Sequence, residues 1–104
     1  MSSHKTLTEL AELPGVLGIV TCSLDGEITN CAGDEAELLG GILGHLDQTS
    51  RLIGECLGLE QLVEIRLMGK TLTAACIPRE HDLCGLLLDR KASVSEIISQ
   101  VPLT

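Results

Sequence analysis

The chain contains no Phe, Tyr or Trp among its 104 residues. Single-stranded nucleic-acid sites and many flat-cofactor pockets stack their ligand on aromatic rings, so this absence argues against both. Basic residues are scarce as well: 7 Lys plus Arg stand against 15 Asp plus Glu, for a formal charge of −8. A surface of that sign repels a phosphate backbone and an anionic bilayer, and it favours a partner protein with a basic patch. No window approaches the ~20 apolar residues of a membrane span. The polar start from Met1 to Leu10 lacks the apolar stretch of a signal peptide. Five cysteines (Cys22, Cys31, Cys56, Cys76, Cys84) make an odd number with no CxxC spacing, each within an apolar run. They are expected to be reduced core thiols of a cytoplasmic protein.

What is present is aliphatic. Hydrophobic residues make up 44% of a chain whose length suits one core, so residues 1–104 are expected to form a single domain. Three places read S/T/D-x-x-E ahead of an apolar pattern: Thr6 with Glu9, Asp34 with Glu37, and Ser93 with Glu96. Each is a candidate capping box and predicts a helix start. The first helix stops at Leu13-Pro14-Gly15, because proline disfavours helix at the residue before it. The last carries Val94, Ile97, Ile98 and Val101 on one stripe and ends before Pro102. The middle helix spans about Glu35 to Leu57, closed by Gly58, and is roughly 34 Å long.

Strand signals lie between the helices. Val16 to Leu24, Asp25-Gly26 and Glu27 to Ala32 predict a hairpin with a two-residue turn, in which Cys22 faces Thr29 and Cys31 faces Val20. Leu62 to Met68, Gly69-Lys70 and Thr71 to Pro78 predict a second. The unbroken apolar run Leu83 to Leu88 suits a central strand covered on both faces. The order is α-β-β-α-β-β-β-α, an α+β fold with mostly antiparallel pairing.

Motifs for chemistry do not assemble. Gly69-Lys70-Thr71 resembles the end of a phosphate-binding loop, but Glu64 stands where that loop needs its first Gly, and a strand follows where it needs a helix. His81 and Cys84 offer two metal ligands, without the second close pair of a closed zinc site. Asp34, Glu35 and Glu37 fall in a helix's first turn, where the dipole accounts for them. There is no GxSxG, so no catalytic residue, metal or cofactor is expected.

The middle helix stands apart. Placed at 100° intervals, Leu38, Leu39, Ile42, Leu43, Leu46, Leu52, Ile53, Cys56 and Leu57 cover an arc of roughly 180°, against the ~100° one buried face uses. The polar arc holds Glu37, Asp47, Gln48, Arg51 and Glu55, with Asp47–Arg51 and Arg51–Glu55 spaced to pair. Gly40, Gly41 and Gly44 each cost up to ~1 kcal/mol inside a helix, and close approach of another backbone would explain them. Either the whole arc is intrachain core, or the helix touches the sheet on one side and a second subunit on the other. In the strand Leu62 to Met68, Val63, Ile65 and Leu67 alternate with Glu64 and Arg66, as on a half-exposed edge. Two copies paired about a two-fold axis at Ile65 would set Glu64 of each against Arg66 of the other.

These pieces resemble the roadblock family, dynein-light-chain-like domains that also occur as bacterial regulators of Ras-like GTPases. The resemblance rests on Leu10 to Gly18 (LAELPGVLG), Asp25-Gly26, the acid cluster at the start of the long helix, the Gly69 hairpin and the Leu86-Leu87-Leu88 strand. It implies a profilin-like, two-layer fold: a five-stranded antiparallel sheet with the long helix on one face and the terminal helices on the other. It also implies a non-enzymatic homodimer, joined through the long helix and third strand, that binds a small Ras-like GTPase or a motor or scaffold subunit. The interface expected on both grounds comprises Leu39, Ile42, Leu43, Leu46, Ile53, Glu64, Ile65 and Arg66. A dimer would carry −16, twice the −8 of one chain. The rivals are a sensory domain holding a small apolar ligand beneath the long helix and, ranked below it, a thiol switch built on Cys22 and Cys31.

Overall fold

A computed structural model describes residues 6–33, 35–59 and 61–102. Its elements are α1 (Leu7–Ala11), β1 (Val16–Ser23), β2 (Ile28–Ala32), α2 (Ala36–Leu57), β3 (Ile65–Met68), β4 (Leu72–Pro78), β5 (Asp82–Asp89) and α3 (Val94–Ser99). The five strands form one sheet in the order β2-β1-β5-β4-β3, every neighbouring pair antiparallel.

Alternation along the strands builds two cores from one sheet. In β5, Cys84, Leu86 and Leu88 point to one face, where they meet Leu10 of α1, Ile97 of α3 and Val101. Leu83 and Leu87 point to the other, where they meet Ala36, Leu39 and Leu43 of α2 with Val20, Cys22 and Cys76. The unbroken apolar run of β5 is therefore covered on both sides, and the expected α+β arrangement of a five-stranded antiparallel sheet with three helices is present. It has three layers where two were expected, because α1 and α3 cover one face and α2 the other.

Local chemistry sets the element ends. At α1 the capping box forms: the Glu9 amide donates to Thr6 Oγ1 at 3.2 Å and the Thr6 amide to Glu9 Oε1 at 3.3 Å. The expected Ser93–Glu96 box does not form, and α3 begins with the Ile97 amide on the Ser93 carbonyl at 3.0 Å. Asp34 lies outside the described residues. The cap of α2 is Glu35, at φ 65° and with no side-chain capping bond. At the far end Gly58 (φ 72°) and Leu59 donate to the Glu55 and Gly54 carbonyls, a Schellman closure.

Both hairpins differ in register from expectation. The Gly26 amide donates to Ser23 O and the Ser23 amide to Glu27 O, so the first loop has three residues with Gly26 at φ 95°. Cys31 does face Val20, but a bulge puts Cys22 opposite Ile28 in place of Thr29. In the second, Gly69 bonds Leu72, which moves the turn to Lys70-Thr71 and starts β4 at Leu72. β3 begins at Ile65, three residues later than the pattern suggested.

Candidate interaction surface

Helix α2 meets the sheet through a narrow line of residues: Ala36, Leu39, Gly40, Leu43 and Asp47 are buried. Gly85 of β5 makes this contact close, since a Cβ there would lie 2.9 Å from Leu39 Cδ2 and 3.0 Å from Leu43 Cδ2. The helix thus rests directly on the strand, with no room at that point for a ligand beneath it. Leu39 and Leu43, expected at an interface, are committed to the chain's own core and cannot offer their side chains to a second chain. Ile42 and Ile53 are exposed and Leu46 is half-buried.

Asp47 ends the buried line. The residue is 8% exposed, and its carboxylate accepts from Arg51 Nε at 3.0 and 2.9 Å, the expected i,i+4 pair. Beyond it, from Gln48 to Leu57, no residue of α2 is buried. Leu52, Ile53, Cys56 and Leu57 project there, continuing a stripe that starts at Leu38 and Ile42. Leu38, 74% exposed, and Cys56 are eighteen residues apart, about five turns, so they point in one direction. Periodicity shows that an arc is broad but not which half meets the sheet, and so it did not separate Leu38, Leu52 and Leu57 from the buried Leu39 and Leu43.

The helix glycines divide the same way. A Cβ on Gly40 would come within 2.8 Å of Ile28 and 2.9 Å of Val20, and one on Gly44 would stand 3.7 Å from the Gly26 Cα. Crowding explains Gly40, though by the Ile28 and Val20 side chains of the chain's own β1–β2 hairpin and not by another backbone, whereas at Gly44 the distance is ordinary van der Waals contact and leaves room for a methyl. A Cβ on Gly41 would meet nothing within 4 Å.

β3 is a terminal strand, as expected of an edge. Ile65 packs half-buried against the α2-side core, while Val63, Leu67 and Met68 are exposed. Glu64 and Arg66 already pair within the chain, Arg66 Nε and Nη2 donating to the Glu64 carboxylate. Arg66 Nη1 also reaches Ser95 Oγ at 3.2 Å, which ties the strand to α3.

The cysteines fall into two sets. Burial pushes the Cys84 thiol up to about 12 and Cys76 up to about 11, and it raises Cys22, whose Sγ donates to Gly40 O at 3.3 Å. These three are inert core thiols. Cys31 and Cys56 are exposed, contrary to the expectation that all five are buried. Cys31 lies on β2, and Cys56 lies on the apolar stripe of α2. Among the described residues no group of His, Cys, Asp and Glu could hold a metal ion, and no helix is long and apolar enough to cross a membrane.

No protein-family model and no curated protein matches the chain. Solved structures do match its fold. A Roadblock/LC7 domain from Streptomyces avermitilis superposes with a TM-score of 0.79 at 16% identity, over 89% of this chain and 83% of that one. MglB of Myxococcus xanthus gives 0.79 at 9% identity, over 88% and 79%. A structure described as MglB with tetrameric arrangement gives 0.76 at 15% identity, over 88% and 74%.

Proposed function

We propose that this chain, which has the Roadblock/LC7 fold, is a non-enzymatic regulatory domain that works as a homodimer and binds a small Ras-like GTPase or another basic protein partner. The observation that carries the reading is the second half of α2. Ten consecutive helical residues, Gln48 to Leu57, bury no side chain in their own domain while presenting Leu52, Ile53 and Leu57 to solvent. Exposed apolar stripes of this kind mark interaction sites, and a helix of this length draws most of its stability from packing. A second copy of α2 laid against Leu38, Ile42, Leu46, Leu52 and Ile53 would supply that packing.

The β3 edge adds to the same interface. Pairing of two β3 strands at Ile65 would join the sheets of both subunits and cover Val63 and Leu67. It would exchange the two intrachain Glu64–Arg66 pairs, one per subunit, for two cross-strand pairs. The charge of such a dimer, −16 from −8 per chain, suits a basic contact patch on the partner and association that weakens with salt. That a structural neighbour is described as tetrameric supports self-association in this fold.

Light scattering on the purified chain, followed by pull-down with small GTPases of the same cell loaded with GDP or GTP, tests the reading. A dimer that retains a GTPase supports it. A dimer that retains none leaves a scaffold of another basic partner, and a strict monomer removes the reading.

A further inference from the structure

β2 is the other terminal strand of the sheet. Its single strand neighbour is β1, and all five of its residues are exposed. Along such an edge every second backbone N–H and C=O points outward without a strand to receive it. Edges are commonly blunted by Lys, Pro or bulges. β2 reads ITNCA, with neither Lys nor Pro, and its bulge is confined to the turn end, around Thr29. From Asn30 to Ala32 the pairing with β1 runs in regular register.

Charge around this edge says what would add to it. No Lys or Arg occurs between Lys5 and Arg51. Asp25 and Glu27 stand at the turn end of β2, and Glu35 and Glu37 follow its other end. All four are exposed, and none belongs to an ion pair among the described residues. We propose that the β2 edge is a docking site for an extended segment of a partner protein bearing Lys or Arg. The segment adds as a sixth strand through main-chain hydrogen bonds, while its basic side chains meet these carboxylates.

A second copy of β2 is the poorer occupant, because it would set acid against acid at both ends of the pairing. The site goes beyond the dimer reading. β2 and β3 are opposite edges, so β2 stays open whether or not two chains join through β3.

Cys31 on β2 and Cys56 on α2 serve as native reporters of the two surfaces. The probe is a short, dye-labelled, acetylated peptide alternating Lys and Val, compared with the same peptide N-methylated at alternate amides. Binding by anisotropy is expected for the first, weakened about tenfold or more by methylation in the frame that faces β2. It should weaken further as salt rises from about 0.05 to 0.3 M. Bound peptide should slow alkylation of Cys31 and leave Cys56 unchanged. Equal binding of both peptides would reduce the effect to bulk charge attraction and overturn the proposal. So would protection of Cys56 in place of Cys31, protection of Cys31 by the protein's own concentration without peptide, or no binding at millimolar peptide. Apart from self-protection of Cys31, which would report association through β2, none of these outcomes bears on the mass of the particle, so failure here is distinguishable from failure of the dimer.

Discussion

Gly85 of β5 lies directly beneath Leu43 of α2, so close that a single added carbon would stand 3.0 Å from Leu43 Cδ2. Leu39 and Val20 close the same space, at 2.9 and 3.0 Å. Gly85→Val is therefore expected to destabilise the domain by ~1–3 kcal/mol through overpacking, although valine favours strands more than glycine does. Urea unfolding with an unchanged m-value is the check. A stability equal to that of the parent would mean that α2 does not rest on β5 as described.

The open space at Gly41 gives the opposite expectation. A methyl there meets nothing, so Gly41→Ala should gain up to ~1 kcal/mol from helix propensity alone. Thermal unfolding of the change in an Ile53→Glu background, which the proposed dimer reading makes monomeric, reads that term by itself.

Alkaline pH should unfold the chain through its core thiols. Below the unfolded thiol value of 9.0 both states keep their protons, and these groups add no pH dependence. Above it the unfolded chain loses protons that the folded chain retains until about 11 at Cys76 and about 12 at Cys84. Stability then falls with rising pH, by at most ~1.4 kcal/mol per unit for each thiol. With no Tyr in the chain, no phenol titrates in the same window. Denaturant midpoints from pH 8 to 11 under reducing conditions should decline, and the decline should flatten in Cys76→Ala/Cys84→Ala.

Much of this organisation is legible in the sequence because it depends on local signals. The Thr6–Glu9 cap, the Gly58 stop and the apolar run of β5 each act within a few residues, and each appears where the pattern places it. What is not legible depends on contacts between distant segments. The loop residues Asp25-Gly26 fit a two-residue turn, but the bulge at Thr29 is set by pairing across the hairpin, with Thr21 Oγ1 and Thr29 Oγ1 2.8 Å apart. Burial of Leu39 and Leu43 but not of Leu38 and Ile42 depends on where Gly85 lets the helix down. The exposure of Cys31 and Cys56 follows from a strand at the sheet's edge and a helix end that buries nothing.

At β3, Glu64 and Arg66 already satisfy each other within one chain. Glu64→Arg loses this partly exposed pair, which should cost the monomer no more than ~1 kcal/mol, while placing like charges across a two-fold pairing, which raises the dimer dissociation constant several-fold. Adding Arg66→Glu should recover the parent value. If the double variant stays weakened, pairing at Ile65 has the wrong register.

The most direct measurement is the mass of the particle in solution, by size exclusion with light scattering, for the parent chain and for Leu52→Glu/Ile53→Glu. Neither residue is buried in its own domain, so the variant should keep its helical circular dichroism. The expected result is twice the chain mass for the parent and a single chain mass for the variant. A parent that is monomeric at all concentrations, or a variant that remains dimeric, would contradict the assignment of the outer face of α2 as the surface that joins two chains.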